Sequence, residues 1–138
     1  MSAKEDQASY VAAIKEAVPL AARAVSGTKV EVVGRWQTCS GGWQYEGSGA
    51  IHVDAEADGA ELDQVRAALL DAGWSDHTLV EGHVSVVKDD LALDLQRPNR
   101  AFPTSWALFF HSDCRFLTGS DRDYVEQTED HEFPDLRG

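Results

Sequence analysis

Apolar residues recur along the chain at two periods, three to four residues in some stretches and two in others, and each change of period predicts an element. Val11, Ile14, Val18, Ala21 and Val25 form one stripe of a helix over 3–25, with Glu5, Lys15, Glu16 and Arg23 on its other faces. Pro19 removes an i to i−4 hydrogen bond, so the helix is expected to kink there or to restart with Pro19 in its first turn. Ser26-Gly27 ends it, Gly27 being suited to the left-handed position after the cap. The β-branched run over 28–36 predicts a strand, and 38–42 a turn. Over 43–53, Trp43, Tyr45, Ile51 and Val53 take odd positions while Gln44, Glu46 and His52 take even ones, the mark of an antiparallel strand with one wet face. Gly47 and Gly49 within it predict a bulge or a close backbone approach.

The second half repeats these signals. Over 58–72, Leu62, Val65, Leu69 and Leu70 make a buried helical stripe; Asp58 can cap it, and Glu61 completes a capping-box-like pair. Gly73 ends this helix, and Trp74 begins the return to the sheet. The segments 78–80, 83–88, 91–96 and 105–111 read as strands, with Gly82 and Asp89-Asp90 marking tight turns between the first three. The stretch 97–103 is the longest loop. After Cys114 the chain turns polar and acidic; Ser120 can cap a short helix over 121–127, and 129–138 reads as a loosely held tail. The order predicts an α+β fold, a mostly antiparallel sheet of five to six strands with two helices packed on one face. Residues 1–118 are expected to form a single domain, and 119–138 an acidic C-terminal tail.

Composition narrows the partners more than the fold. The 138 residues carry 24 acidic and 12 basic side chains, a net charge of −12, with no cluster of Lys and Arg. Such a field repels phosphate backbones, so nucleic-acid binding is excluded. No apolar run approaches the roughly 20 residues that span a bilayer. The first six residues have no apolar leader, which leaves two expectations: a cytoplasmic chain, or an exported one whose leader belongs to a longer precursor.

Cys39 and Cys114 each follow a predicted strand end beside turn residues, where two sheet neighbours can bring their Cα atoms within bridging distance. We read them as a disulfide, which favours an extracytoplasmic home; two reduced thiols of a cytosolic chain are the alternative. The stretch 54–59 resembles the first half of a calcium loop, but its twelfth position is Val65, so the bidentate Glu is missing. His52, His77, His83, His111 and His131 are dispersed. His111 and Asp113 would share a strand face, a half-site for zinc at most, and two ligands are not a metal site. No serine stands in a nucleophile elbow, and no glycine pattern cradles a nucleotide, so no cofactor is implied. Of four tryptophans, Trp43 and Trp74 read as core; Trp36 and Trp106 either join them or line an exposed aromatic patch with Phe102.

Several short motifs carry a resemblance: the N-terminal helix, Trp36-Gln37-Thr38-Cys39-Ser40-Gly41-Gly42-Trp43-Gln44-Tyr45, Ala72-Gly73-Trp74, Lys88-Asp89-Asp90-Leu91 and Ser112-Asp113-Cys114. Over residues 8–117 the chain resembles a group of small uncharacterised actinobacterial envelope proteins, many of them lipoproteins. The resemblance implies a cysteine pair and an exported domain with a lipid anchor in a longer precursor, and it implies no activity. This chain lacks the leader and the lipobox cysteine. The leading expectation is therefore a non-enzymatic binding domain of the bacterial cell envelope whose partner is an unidentified protein or envelope component. A cytoplasmic acidic inhibitor or immunity protein that binds a basic partner comes second. A small hydrolase or metal-dependent enzyme comes third, since no constellation of titratable groups is visible.

Overall fold

The computed structural model describes residues 2–54 and 60–137. Helix α1 (Ala3–Ala24) leads into a long hairpin of β1 (Lys29–Cys39) and β2 (Gly42–His52). Helix α2 (Ala60–Asp71) follows, then β3 (Ser75–Asp76), β4 (His83–Lys88), β5 (Leu91–Gln96) and β6 (Ser105–His111). Helix α3 (Gly119–Gln127) and β7 (His131–Glu132) close the chain. All strands join one antiparallel sheet in the order β3-β4-β5-β6-β2-β1-β7. Among the described residues the fold is α+β with seven strands and three helices, against an expected five to six strands and two packed helices with a short helix in the tail. The third helix, Gly119–Gln127, is the short tail helix expected over 121–127, and the unforeseen pieces are the two-residue strands β3 and β7, too brief to show a period.

Helix α1 opens with a capping box, in which Ser2 accepts from the Glu5 N–H and the Glu5 carboxylate reaches back to Ser2. It runs uninterrupted through Pro19, so no restart occurs there. Ala17, Val18, Ala21 and Ala22 are buried around the proline, and that packing offsets the lost backbone bond. At its end the Gly27 N–H bonds the Ala22 carbonyl and the Ser26 N–H the Arg23 carbonyl, the paired bonds of a Schellman turn. The left-handed residue is Ser26, with φ 55°, rather than Gly27. Gly27 is bare for another reason: a Cβ there would sit 2.8 Å from the Ile51 Cγ2. The expected cap at Asp58 and the calcium-like stretch after Asp54 lie outside the described residues.

Alternation sends one face of the sheet into the core. Val30, Val32 and Trp36 of β1, Tyr45 and Ile51 of β2, and Trp106, Leu108 and Phe110 of β6 are all buried there. Val84 and Val86 of β4 and Leu91, Leu93 and Leu95 of β5 continue the face beneath α2. Gly47 introduces no bulge, since β2 pairs without interruption on both sides. It leaves room instead for the Phe110 ring, just as Gly34 leaves room for the Tyr45 ring on the same face. Both rings belong to an aromatic chain through Tyr10, Trp36, Tyr45, Phe110 and Phe133.

The β4 edge is closed by a local side chain, and residues 28–34 of the β1 edge by the distant C-terminal segment. The expected strand 78–80 does not form, because Asp76 accepts the Thr78 N–H and turns the chain outward. Thr78 Oγ1 then accepts the Ser85 N–H at 3.0 Å in place of a backbone partner. On the opposite edge the C-terminal segment is no loose tail. The Phe133 N–H bonds the Val32 carbonyl, Asp135 accepts the Val30 N–H, and Arg137 donates to the Thr28 carbonyl. Phe133 and Leu136 are buried with Val125 of α3, which begins at Gly119 rather than after Ser120. These polar letters are consumed by β1 backbone groups that would otherwise face solvent unpaired.

Past β6 the chain makes its densest set of attachments. Cys114 is bonded to Cys39, with Cα atoms 6.0 Å apart. Arg115 exchanges two backbone bonds of 2.8 Å with Trp43, and its guanidinium pairs with the buried Asp6 of α1. Gly42 must be bare because a Cβ would collide with the Arg115 carbonyl.

Two stability effects follow. The Cys39–Cys114 bond joins residues 75 apart, so reduction should cost about 4 kcal/mol in the chain-entropy treatment, read as a lower denaturant midpoint. Ser26→Gly removes left-handed strain and should raise stability by about 1 kcal/mol in the same urea titration, with an unchanged slope.

Candidate binding site on the open face of the sheet

The residues that alternate with the core positions form a face that no helix among the described residues covers. Cross-strand register places Ser48 beside Phe109, Ala50 beside Ala107, and His52 beside Ser105 on that face. Asp94 stands opposite Ser85 and Phe109, and His111 opposite Glu46 and Ala92. Small side chains therefore floor much of the surface, and His52, His77, His83 and His111 rise from it.

Two polar clusters are fixed there. Asp94 accepts from the Ser85 hydroxyl and from Gln96 Nε2 at 3.2 Å, and it lies 3.1 Å from His83 Nδ1. With donors on both oxygens this carboxylate is a satisfied acceptor rather than a free base. At the other end, Ser105 Oγ lies 3.1 Å from His52 Nδ1, and Glu31 lies 3.6 Å from His52 Nε2. Serine, imidazole and carboxylate stand in line, yet Ser105 is paired with His52 as the first residue of β6 rather than held on the strained turn that exposes a nucleophile. Glu31 is held below the usual carboxylate range, first by its hydrogen bond to Lys29 and the charge there, then by His52.

A cleft of about 300 Å³ opens beside Ser105, between the ends of β2, β5 and β6 and the loop 97–104. Ala50 and Ala107 line it from the sheet, Phe102 from the loop, and Gln96, Arg97 and Asn99 from its rim. The loop is closed on itself: Asn99 Oδ1 accepts the N–H groups of Ala101 and Phe102, and the Asn99 N–H bonds the Phe102 carbonyl. Phe102 is thereby held 67% exposed. A second cleft of about 290 Å³ lies between His77, Asp94, Phe109 and His111 on the same face.

The aromatic residues named from sequence do not share a surface. Trp36 is 7% exposed, its indole N–H donating to Gln7, and Trp106 is 1% exposed. Even-numbered positions on β1 and β6 face the helices, so only Phe102 of the three stands in solvent. His111 and Asp113 are both exposed, and the nearest partner of His111 Nδ1 is the Ser112 carbonyl at 3.2 Å. Among the described residues no group of three His, Cys, Asp or Glu side chains could hold a metal ion. Burial pushes the Tyr45 phenol up to about 12, and burial with the Asp90 carboxylate raises Tyr10 further, but both rings belong to the core. Sequence reading missed His52, Ser105 and Arg97 as neighbours. The sole signal was His52 on the wet face of its strand.

No family model matches this chain, and neither a curated protein nor a solved structure is similar to it.

The Glu31–Lys29 contact has a definite pH sign. A carboxylate whose folded-state ionisation is depressed contributes stability that is fully present above the unfolded value of about 4.3 and is lost as pH falls through the lower folded value. Carboxyl-detected NMR should show Glu31 titrating below an ordinary glutamate, and Lys29→Ala should move its midpoint upward.

Proposed function

We propose that this chain is a non-enzymatic binding domain of the cell envelope that works outside the reducing cytoplasm and uses the open face of its sheet. One observation carries the reading: a broad sheet face left uncovered, with an apolar cleft held open by an ordered loop, in a fold whose two edges are sealed. An uncovered face with an exposed Phe102 on a hydrogen-bonded loop is a recognition feature, since a monomer gains nothing from it.

The bridged Cys39–Cys114 pair supports export, because such bonds persist in oxidising compartments. It also weighs against the cytoplasmic inhibitor. No helix among the described residues is long and apolar enough to cross a membrane. Attachment to the envelope would come from a lipid anchor on a longer precursor or from the binding partner.

The test is thermal unfolding of the oxidised chain against soluble envelope fragments such as muropeptides, glycans and lipid headgroup analogues. A true ligand at a hundredfold excess over its Kd should stabilise by about 2.7 kcal/mol, a rise of several degrees. Ala107→Glu, on the open face, should abolish that rise while the unliganded Tm stays near wild type. A fragment that stabilises wild type and Ala107→Glu equally would remove the open face from the reading, and a panel without effect would remove the binding function.

A further inference from the structure

The cleft under the loop 97–104 differs from its neighbours in one chemical respect. Three other clefts have carboxylates in their walls: Glu31, Glu132 and Asp135 in one, Glu16, Asp89 and Asp90 in the next, Asp94 in the third. The walls of this one, among the described residues, hold no carboxylate and one permanent cation, Arg97. In a chain with twice as many acids as bases, that composition selects the sign of a ligand.

Arg97 is also positioned. Its backbone N–H donates to the Gly82 carbonyl at 3.0 Å. Its side chain lies along the bare backbone of that glycine, with Nε 3.3 Å from where a Gly82 Cβ would stand. Among the described residues Arg97 makes no ion pair, in contrast to Arg66 with Asp63 and Arg115 with Asp6. A guanidinium presents a planar fork of donors matched to a carboxylate. Beside it Phe102, Ala50 and Ala107 offer apolar surface, and the Ser105 hydroxyl and Gln96 amide offer neutral polar groups. At about 300 Å³ the space is at the small end of ligand pockets.

We propose that this cleft binds a small organic acid, its carboxylate held by Arg97 and its flat apolar body lying against Phe102. The inference rests on the open face being the binding surface and adds the class of ligand. A neutral isostere loses the ion pair, and a bare small anion loses the apolar contact, so both parts of the ligand are required.

The experiment is a protein-observed NMR titration of the oxidised chain with phenylacetate, phenylacetamide and acetate as probes. Phenylacetate should shift residues 50–52, 96–99 and 105–107 saturably, with an affinity at least tenfold above that for either other probe. Arg97→Gln should remove the preference for acid over amide, whereas Arg100→Gln, on the same loop but outside the cleft, should leave it unchanged. Phe102→Ala should weaken phenylacetate at least fivefold without altering the rest of the spectrum, since the ring is exposed. Equal binding of acid and amide, an Arg97→Gln chain that binds as wild type, or no saturable shift at millimolar phenylacetate would each overturn the proposal. If these probes fail while envelope fragments still raise the Tm in an Ala107-dependent way, the open-face reading survives and the organic-acid assignment alone is lost.

Discussion

The four residues Ser112–Arg115 fasten together parts of the molecule that are distant along the chain. Buried Ser112 exchanges bonds with the Tyr45 backbone, its hydroxyl accepting the Tyr45 N–H and its own N–H reaching the Tyr45 carbonyl. Cys114 then crosses the tip of the β1–β2 hairpin to Cys39, and Arg115 pairs with Trp43 through the backbone and with Asp6 through its side chain. Sheet, hairpin tip and the first turn of α1 thus meet within one turn of chain. Asp6 is nearly fully buried, so its partner is a structural necessity: leaving that charge alone would cost about 3–5 kcal/mol. Nearby, Gln7 accepts from both Trp36 and Tyr124, and Asp121 accepts the Ala3 N–H, which draws α3 onto the same end of α1.

Fastening at that end leaves the other layer of the sheet free. Helices cover one face, the C-terminal segment seals the β1 edge, and the 76–78 turn seals the β4 edge. Backbone pairing with a foreign strand is thereby largely closed off, and side-chain recognition on the open face remains. The loop 97–104 rises at the end of the sheet opposite the disulfide, where rigid strands position a short ordered loop. The fold thus divides into rigid closure at one end of the sheet and a cleft at the other.

Charge follows the same division. The acidic surplus is spread over solvent-facing positions, where it serves solubility. Asp6, the charged residue that is buried among the described residues, is paired with Arg115. Arg97 stands apart, a cation at the rim of an apolar cleft in an acidic chain.

The two main helices, the long hairpin, the turn at Asp89-Asp90, the strands β4, β5 and β6, and the cysteine pair were legible in the sequence. Period two and period 3.6 are local properties: each residue declares its face through its immediate neighbours. The placement of Trp36 and Trp106 in the core, the sealing of β1 by Asp135 and Phe133, and the meeting of His52, Ser105, Phe102 and Arg97 were not legible. Those depend on strand order, which sets β6 beside β2 although more than fifty residues separate His52 from Ser105. Asp, His and Ser in an acidic chain look like solvated surface until register supplies a neighbour. By itself the sequence determined the period of each main element and so which residues share a face; Leu70, counted into the buried stripe of α2, is 38% exposed. Tertiary structure alone decided which elements meet, because hydrogen-bonded register and side-chain fit act between residues that no local pattern connects.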